Sequence, residues 1–192
     1  MTRFFLLRHG PTHAKSMVGW SDLPADLSDI AALDRINAYV PQDALVVSSD
    51  LSRAVETADA VQGSRKRLPH DQRLREMHFG DWELRTWSEL EESCPDHIRA
   101  FWKTPGDVRP PNGESWNQLS ARVDRIFDEL AVQYAGANIL VVGHFGQILT
   151  QVQRADRLTA DEAFARRIDN LSVTEIAHLG HAWSLGTINQ IP

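Results

Sequence analysis

Basic and imidazole side chains follow three separate apolar runs of the chain. Arg8 and His9 come directly after the first run, Arg53 lies shortly after the second, and His144 ends a later one. Two guanidinium groups can grip phosphate oxygens with paired donors, and a neutral imidazole can attack phosphorus through a ring nitrogen. Glu76 adds a carboxyl group that could protonate a leaving oxygen. These groups together could hydrolyse a phosphate ester, a reaction that is very slow without help.

Each of these residues also has an ordinary structural explanation. A single Arg-His-Gly sequence is weak evidence for a site, and Arg53 could be a solvated helix residue that pairs with Glu56. Glu76 could be a surface carboxylate, and His144 could be a turn residue with satisfied hydrogen bonds. The order of these residues along the chain, more than any one of them, favours a catalytic role.

The apolar runs before these residues are predicted to be strands of one sheet. They cover residues 4–7, 44–47 and 138–142, and a late strand is predicted over 172–177. Continuous apolar residues, without alternation, are typical of strands that are buried on both faces. Because parallel strands present their carboxyl ends at one edge, we expect the candidate residues to meet there.

The segments between the strands carry helix signals. Helical spacing follows the second and third strands, and capping boxes begin at Ser115 and Thr159. Residues 104–113 are rich in proline and glycine and are predicted to form a loop. Repeated strand-then-helix units predict an α/β fold, a three-layer α/β/α sandwich with a largely parallel central sheet. We expect residues 1–192 to form a single domain.

Composition narrows the range of partners. The 192 residues are 42% apolar and 24% charged, and the net charge is -6. This charge gives no general attraction for nucleic acid or acidic membranes, so an anionic substrate must be drawn by local basic residues. Cys94 is the only cysteine, which excludes an intrachain disulfide, and the first apolar run is too short for a signal or membrane segment. A cytoplasmic protein is therefore expected.

Five motifs and two shorter segments follow one another along the chain. The motifs are Leu7-Arg8-His9-Gly10-Pro11-Thr12, Ser48-Ser49-Asp50-Leu51-Ser52-Arg53-Ala54, Glu76-Met77-His78-Phe79-Gly80-Asp81-Trp82-Glu83, Pro111-Asn112-Gly113-Glu114-Ser115 and Val141-Val142-Gly143-His144. The segments are Gly19-Trp20-Ser21-Asp22-Leu23-Pro24 and Asn170-Leu171-Ser172. In this order they closely resemble the histidine phosphatase (phosphoglycerate mutase-like) superfamily. Within it, the short chain and the fourth motif look most like the small phosphatases around α-ribazole phosphatase.

The resemblance implies a phosphoglycerate mutase-like fold and a role for each matching residue. By resemblance His9 is the nucleophile that becomes phosphohistidine, and Glu76 is the proton donor to the leaving oxygen. The residues implied to hold the phosphoryl group are Arg8, Arg53 and His144, with Thr12 as a further hydroxyl in the phosphate pocket. The implied reaction needs no metal or cofactor, and its substrate is a small phosphorylated metabolite. The oligomeric state stays open, with a homodimer as one alternative.

Three positions depart from the family pattern. Pro11 stands where Glu is common, which changes the loop geometry, and Phe145 replaces a usual Gly and would narrow the pocket. Lys15 stands where Asn is common, and we expect it at the pocket mouth, where it would meet a second anionic group on the substrate. Trp20 is expected to form a wall of the same mouth.

Three other functions remain open from the sequence. A zinc hydrolase is disfavoured because His9 and His13 are separated by Pro11 and no His-Glu-x-x-His helix exists. A non-catalytic binding module on the same fold would be consistent with the three departures. A mutase would use the same residues but return the phosphoryl group to an organic acceptor. The short segment between Glu76 and Glu114 leaves little material for a lid, which favours hydrolysis.

Overall fold

The computed structural model describes all 192 residues and has one five-stranded sheet. The strands are β1 (Thr2–Arg8), β2 (Leu45–Ser48), β3 (Asn138–Gly143), β4 (Val173–His178) and β5 (Trp183–Leu185). Their order across the sheet is β2-β3-β1-β4-β5. The four predicted strands are confirmed to within one residue at most ends, and the three-residue β5 was not predicted.

Seven helices cover the sheet. They are α1 (Ile30–Tyr39), α2 (Ser52–Val61), α3 (Trp87–Ser93), α4 (Pro95–Lys103), α5 (Trp116–Gln133), α6 (Phe145–Asp156) and α7 (Ala160–Phe164). The predicted capping boxes are present at Ser115 before α5 and at Thr159 before α7. The predicted α/β fold is confirmed. None of the helices is long and apolar enough to cross a membrane.

The sheet is mixed, which corrects the expectation of a largely parallel one. β2 and β3, and β3 and β1, pair in parallel, whereas β4 is antiparallel to both β1 and β5. The reason lies in the connection before β4. The backbone at Leu171 and Ser172 exchanges hydrogen bonds with Arg8, at the carboxyl end of β1, so β4 must run back in the opposite direction.

Alternating residues of the central strand build the two apolar layers. Phe4 and Leu6 lie in a core of 26 buried residues that includes much of α5 and α6. Phe5 and Leu7 lie in a second core of 13 buried residues, with side chains from α1 and α2. Full burial of such a side chain is worth roughly 1.5–3 kcal/mol. The central strand is therefore held rigidly from both faces, and with it the residues at its carboxyl end.

Helices α3 and α4 form a small unit on the side of the larger core. Thr86 begins α3 with a capping box, and Pro95 is the first residue of α4. Their apolar residues Leu90, Ile98 and Phe101 are buried in that core. This packing fixes α4 beside the carboxyl edge of the sheet.

Candidate active site

The register of the central strands brings two histidines together. Arg8 in β1 lies opposite Gly143 in β3, so the next residue of each strand, His9 and His144, become neighbours. Their ring centroids are 5.1 Å apart, and the backbone N–H of His9 donates to the backbone carbonyl of Gly143 over 3.0 Å. Two residues that are distant in sequence therefore share one point of the sheet edge.

The hydrogen bonds of His9 assign its ring nitrogens. Nδ1 lies 2.6 Å from the Gly10 carbonyl oxygen, which can only accept, so Nδ1 carries the proton. Nε2 accepts from the Arg53 Nε–H over 3.2 Å and thus presents a lone pair. Burial of the ring, followed by the nearby charge of Arg53, lowers the pKa of His9 to about 3. The imidazole is therefore neutral at neutral pH, with its nucleophilic nitrogen facing a guanidinium.

Arg53 is almost fully buried in the first turn of α2, and the loop that contains Gly19 holds it. Its Nη2 donates to the Gly19 carbonyl over 2.7 Å, and its Nη1 donates to the Ser21 carbonyl over 2.9 Å. A side chain at Gly19 would place its Cβ 2.1 Å from the Met77 carbonyl oxygen, so only glycine fits there. The guanidinium thus has one orientation, set by two carbonyl groups.

Glu83 organises this loop, although no role was predicted for it from the sequence. Its carboxylate accepts backbone N–H bonds from Gly19 (3.0 Å), Trp20 (2.7 Å), Ser21 (3.2 Å) and Phe79 (3.1 Å), and the Ser21 hydroxyl donates over 2.7 Å. Burial by itself would raise the pKa of Glu83, but these hydrogen bonds outweigh burial and lower the pKa. The carboxylate is therefore charged at neutral pH and keeps the loop in one shape.

The carboxyl group of Glu76 is buried at the start of α6. One oxygen accepts from the Met77 N–H over 2.8 Å, and the other accepts from the Gly146 N–H over 3.0 Å. A Cβ at Gly146 would come within 2.5 Å of the carboxyl oxygen, so this glycine allows the close approach. Glu76 is consequently held in place by backbone donors, one of them at a helix N-terminus.

His144 and Arg8 both keep buried nitrogens without a partner. His144 is fully buried, and its Nε2 shares a 2.6 Å hydrogen bond with the Ser49 hydroxyl, while Nδ1 has none. Burial, followed by the charge of Arg53, lowers the pKa of His144 well below its ordinary value. Arg8 donates from Nη1 to the Ile168 carbonyl over 2.6 Å, and its Nε is unpaired. Unpaired buried groups of this kind call for an explanation, and an anionic ligand would supply it.

One cavity of about 230 Å³ opens onto these groups. Four of the five predicted catalytic residues line it, and the fifth, His144, is fully buried with its ring centroid 5.1 Å from that of His9. Thr12 and Phe145, two of the predicted substrate contacts, are also in the lining. The complete lining is Arg8, His9, Thr12, Ala14, Ser16, Met17, Val18, Arg53, Glu76, Phe79, Trp102 and Phe145.

The structure does not bring the other two predicted substrate contacts to this cavity. The indole N–H of Trp20 donates to the backbone carbonyl of Glu76 over 2.8 Å. Its ring packs edge-on against His78, with the ring centroids 4.5 Å apart. The indole is thus part of the support of the site and not a wall of its mouth. Lys15 is exposed and is absent from the lining.

No three or more His, Cys, Asp and Glu side chains are grouped so that they could hold a metal ion. The two histidines considered as candidate zinc ligands, His9 and His13, do not point to a common site. His13 is exposed and contacts the Asp26 carboxylate over 2.7 Å, whereas His9 is bound to Gly10 and Arg53.

A sequence model of the Histidine phosphatase superfamily (branch 1) matches residues 4–191. The chain belongs to the histidine phosphatase superfamily. The predicted family is therefore confirmed, and the match covers every residue of the cavity lining.

Similar proteins include named phosphatases of this superfamily. The adenosylcobalamin/alpha-ribazole phosphatase of Escherichia coli is 30% identical over 98% of this chain and 91% of its own length. The structure of YhfR from Bacillus stearothermophilus superposes with a TM-score of 0.91 at 27% identity, over 100% of this chain and 98% of that one. The structure of mycobacterial glucosyl-3-phosphoglycerate phosphatase Rv2419c has a TM-score of 0.84 at 26% identity, over 99% of both chains.

Some relatives are longer than this histidine phosphatase chain. The bifunctional protein Rv2228c of Mycobacterium tuberculosis is 34% identical over 83% of the chain. The chain spans 44% of the length of that relative.

Proposed function

We propose that this histidine phosphatase superfamily member hydrolyses a phosphate monoester of a small molecule through a phosphohistidine on His9, without a metal ion. The observation that carries the proposal is the state of His9, a neutral imidazole whose Nε2 lone pair faces the Arg53 guanidinium inside an open cavity. The named phosphatases among its relatives support hydrolysis over transfer to a second organic acceptor.

The first half of the proposed reaction forms the covalent intermediate. Arg8 and Arg53 neutralise the phosphoryl oxygens. The Ser49 hydroxyl donates to His144 Nε2, which leaves the proton on the unpaired Nδ1, and this Nδ1–H donates to a phosphoryl oxygen. The His9 Nε2 then forms a bond to phosphorus as the phosphorus–oxygen bond of the ester breaks. Glu76, in its protonated form, gives its proton to the leaving oxygen, so the product departs as a neutral alcohol.

The second half returns the enzyme to its starting state. Water attacks the phosphorus of phosphohistidine, and the nitrogen–phosphorus bond breaks. Glu76, now a carboxylate, takes the proton that the attacking water loses. Inorganic phosphate leaves, His9 regains its Nε2 lone pair, and Glu76 is again protonated for the next turnover.

Metal independence is tested with the purified chain and a generic aryl phosphate. The rate should be unchanged by a chelator, because two arginines and His144 take the place of a cation at the phosphoryl oxygens. A rate that collapses with chelator and returns with zinc would contradict this part of the proposal.

We also propose that Glu83 positions Arg53 through the loop at Gly19, without touching the substrate. Glu83→Gln replaces one carboxylate oxygen by an NH₂ group that faces backbone donors, so the carbonyls that orient Arg53 should move. A misplacement of about 1 Å at a catalytic group can cost about 10²-fold in rate, and we expect a fall of this size in kcat/KM.

A double-mutant cycle separates positioning from general damage. If Glu83 acts through Arg53, Glu83→Gln should cost less than about three-fold in an Arg53→Ala background. Glu89→Gln is the matched control, because Glu89 accepts the same kinds of bonds from Thr86 at the start of α3 and should leave kcat/KM unchanged. An equal loss in both backgrounds would show that Glu83 does not act through Arg53.

A further inference from the structure

The cavity combines cationic and aromatic side chains, and Glu76 borders both this cavity and an adjoining apolar recess. Of the two cations, Arg53 donates to His9, and the Arg8 guanidinium lies 5.2 Å from the centre of the Phe145 ring. Phe79, Trp102 and other apolar residues share the lining with them. Both kinds of side chain line one small cavity, so a single bound molecule contacts both.

The proposed proton donor marks the position of the leaving oxygen. A general acid must come within hydrogen-bond distance of the atom that it protonates, so the leaving oxygen lies beside the Glu76 carboxyl group. The phosphorus atom then lies between this leaving oxygen and His9, and the alcohol half of the ester extends away from His9. The residues around the alcohol are therefore the apolar ones that share the cavity with Glu76.

Aromatic side chains dominate the apolar part of the lining. Phe79, Trp102 and Phe145 are each half-buried and line the main cavity. The same three residues and Glu76 also border an adjoining apolar recess of about 30 Å³. The recess is completed by Met77, Phe101, Trp116, Gly146 and Phe164. A flat apolar group can be removed from water here on several sides.

No third cation is present to meet a second negative charge. Within the lining, Arg8 and Arg53 are the only basic side chains besides the neutral His9. Lys15, which was predicted to lie at the mouth, is exposed and is absent from the lining. A carboxylate on the alcohol half would lose hydration against aromatic rings without gaining a partner, which is unfavourable.

We propose that the alcohol half of the substrate is uncharged and carries an aromatic ring or a similar flat apolar group, which packs on Phe79, Trp102 and Phe145. This inference rests on the proposed phosphatase function and narrows its substrate class. It replaces the expectation of an acidic substrate that Lys15 suggested. The hydroxyls of Thr12 and Ser16, also in the lining, suit polar but uncharged substituents.

Three primary alkyl phosphates test the proposal with leaving groups of one chemical class. They are phenethyl phosphate, propyl phosphate and carboxyethyl phosphate. We expect kcat/KM for phenethyl phosphate to exceed that for propyl phosphate by about ten-fold or more, because an apolar pocket rewards added apolar surface. Carboxyethyl phosphate should be about ten-fold poorer than propyl phosphate. Equal values for the three esters, or a preference for the carboxylate, would overturn the proposal.

Two variants locate the preference. Trp102→Ala should reduce the ratio of phenethyl to propyl kcat/KM to about three-fold or less, because the ring loses one of its packing partners. Trp87→Ala is the matched control, since Trp87 is exposed on α3 and absent from both cavities, and it should keep the ratio of the parent. An unchanged ratio in Trp102→Ala would remove Trp102 from the proposed binding surface. If that variant does not fold, Phe145→Leu takes its place.

The outcomes for the substrate class and for the phosphatase function are distinct. Hydrolysis of all three esters that depends on His9 but shows no preference contradicts only the substrate class. Hydrolysis of none of them, together with no activity on an aryl phosphate, contradicts the phosphatase function itself.

Discussion

Replacement of His9 by alanine is expected to lower kcat on any phosphate monoester by about 10⁴-fold or more, because no other group can form the covalent intermediate. The other imidazole at the site, His144, is fully buried, and its Nε2 is engaged by Ser49. Water could still attack a phosphate held by Arg8 and Arg53, so a small residual rate is compatible with the account.

The control for this loss is an exposed histidine. His181→Ala removes an exposed imidazole outside the cavity and should leave kcat unchanged. The thermal unfolding midpoint of His9→Ala is compared with that of the parent, to separate a loss of activity from a loss of the fold. A folded His9→Ala variant with substantial activity would exclude His9 as the nucleophile.

Replacement of Glu76 by glutamine is expected to reduce kcat/KM most for esters with poor leaving groups. General acid catalysis is typically worth about 10²–10⁴-fold, and we expect a loss in this range for alkyl phosphates. The loss should be much smaller for nitrophenyl phosphate, whose leaving oxygen is stable without a proton. The measurement is therefore the ratio of the losses for the two kinds of ester.

The ratio is needed because Glu76→Gln also disturbs the structure. The two carboxyl oxygens accept from the Met77 and Gly146 N–H groups, and an amide can satisfy only one of these donors with its oxygen. This lost hydrogen bond should lower activity on all esters alike. An equal loss for alkyl and nitrophenyl phosphates would mean that Glu76 supports the site without donating a proton.

Much of the fold could be predicted because its signals are local. The strands around Phe4 and Ile139 are continuous apolar runs, and Ser115 and Thr159 begin helices with capping boxes. The direction of β4 could not be predicted in this way, because it depends on where the preceding chain meets Arg8.

Helices α3 and α4 were not predicted, although their signals are present in the sequence. Thr86 and Glu89 have capping-box spacing, and Pro95 is favoured at the first position of a helix. These helices are short, and their apolar residues, Leu90, Ile98 and Phe101, form too brief a stripe to stand out. Because α4 was not predicted, the contribution of Trp102 to the cavity lining was not predicted either.

The site divides into residues that follow strands and residues that lie on loops. Strand register alone brings His9 and His144 together, so these two could be placed from the sequence. The positions of Lys15 and Trp20 depend on how a long loop folds back on Glu83, through hydrogen bonds between residues more than sixty positions apart. Such contacts leave no periodic pattern in the sequence, which is why the role of Glu83 was missed.

Direct detection of the covalent intermediate tests the central claim most sharply. The purified chain is mixed with a fast aryl phosphate, quenched in alkali within one turnover, and digested for mass spectrometry. We expect one phosphoryl group on the peptide that contains His9, lost on mild acid treatment as is usual for a nitrogen–phosphorus bond, and absent from His9→Ala. A burst of product with no labelled peptide, or a phosphoryl group on another residue, would contradict the mechanism.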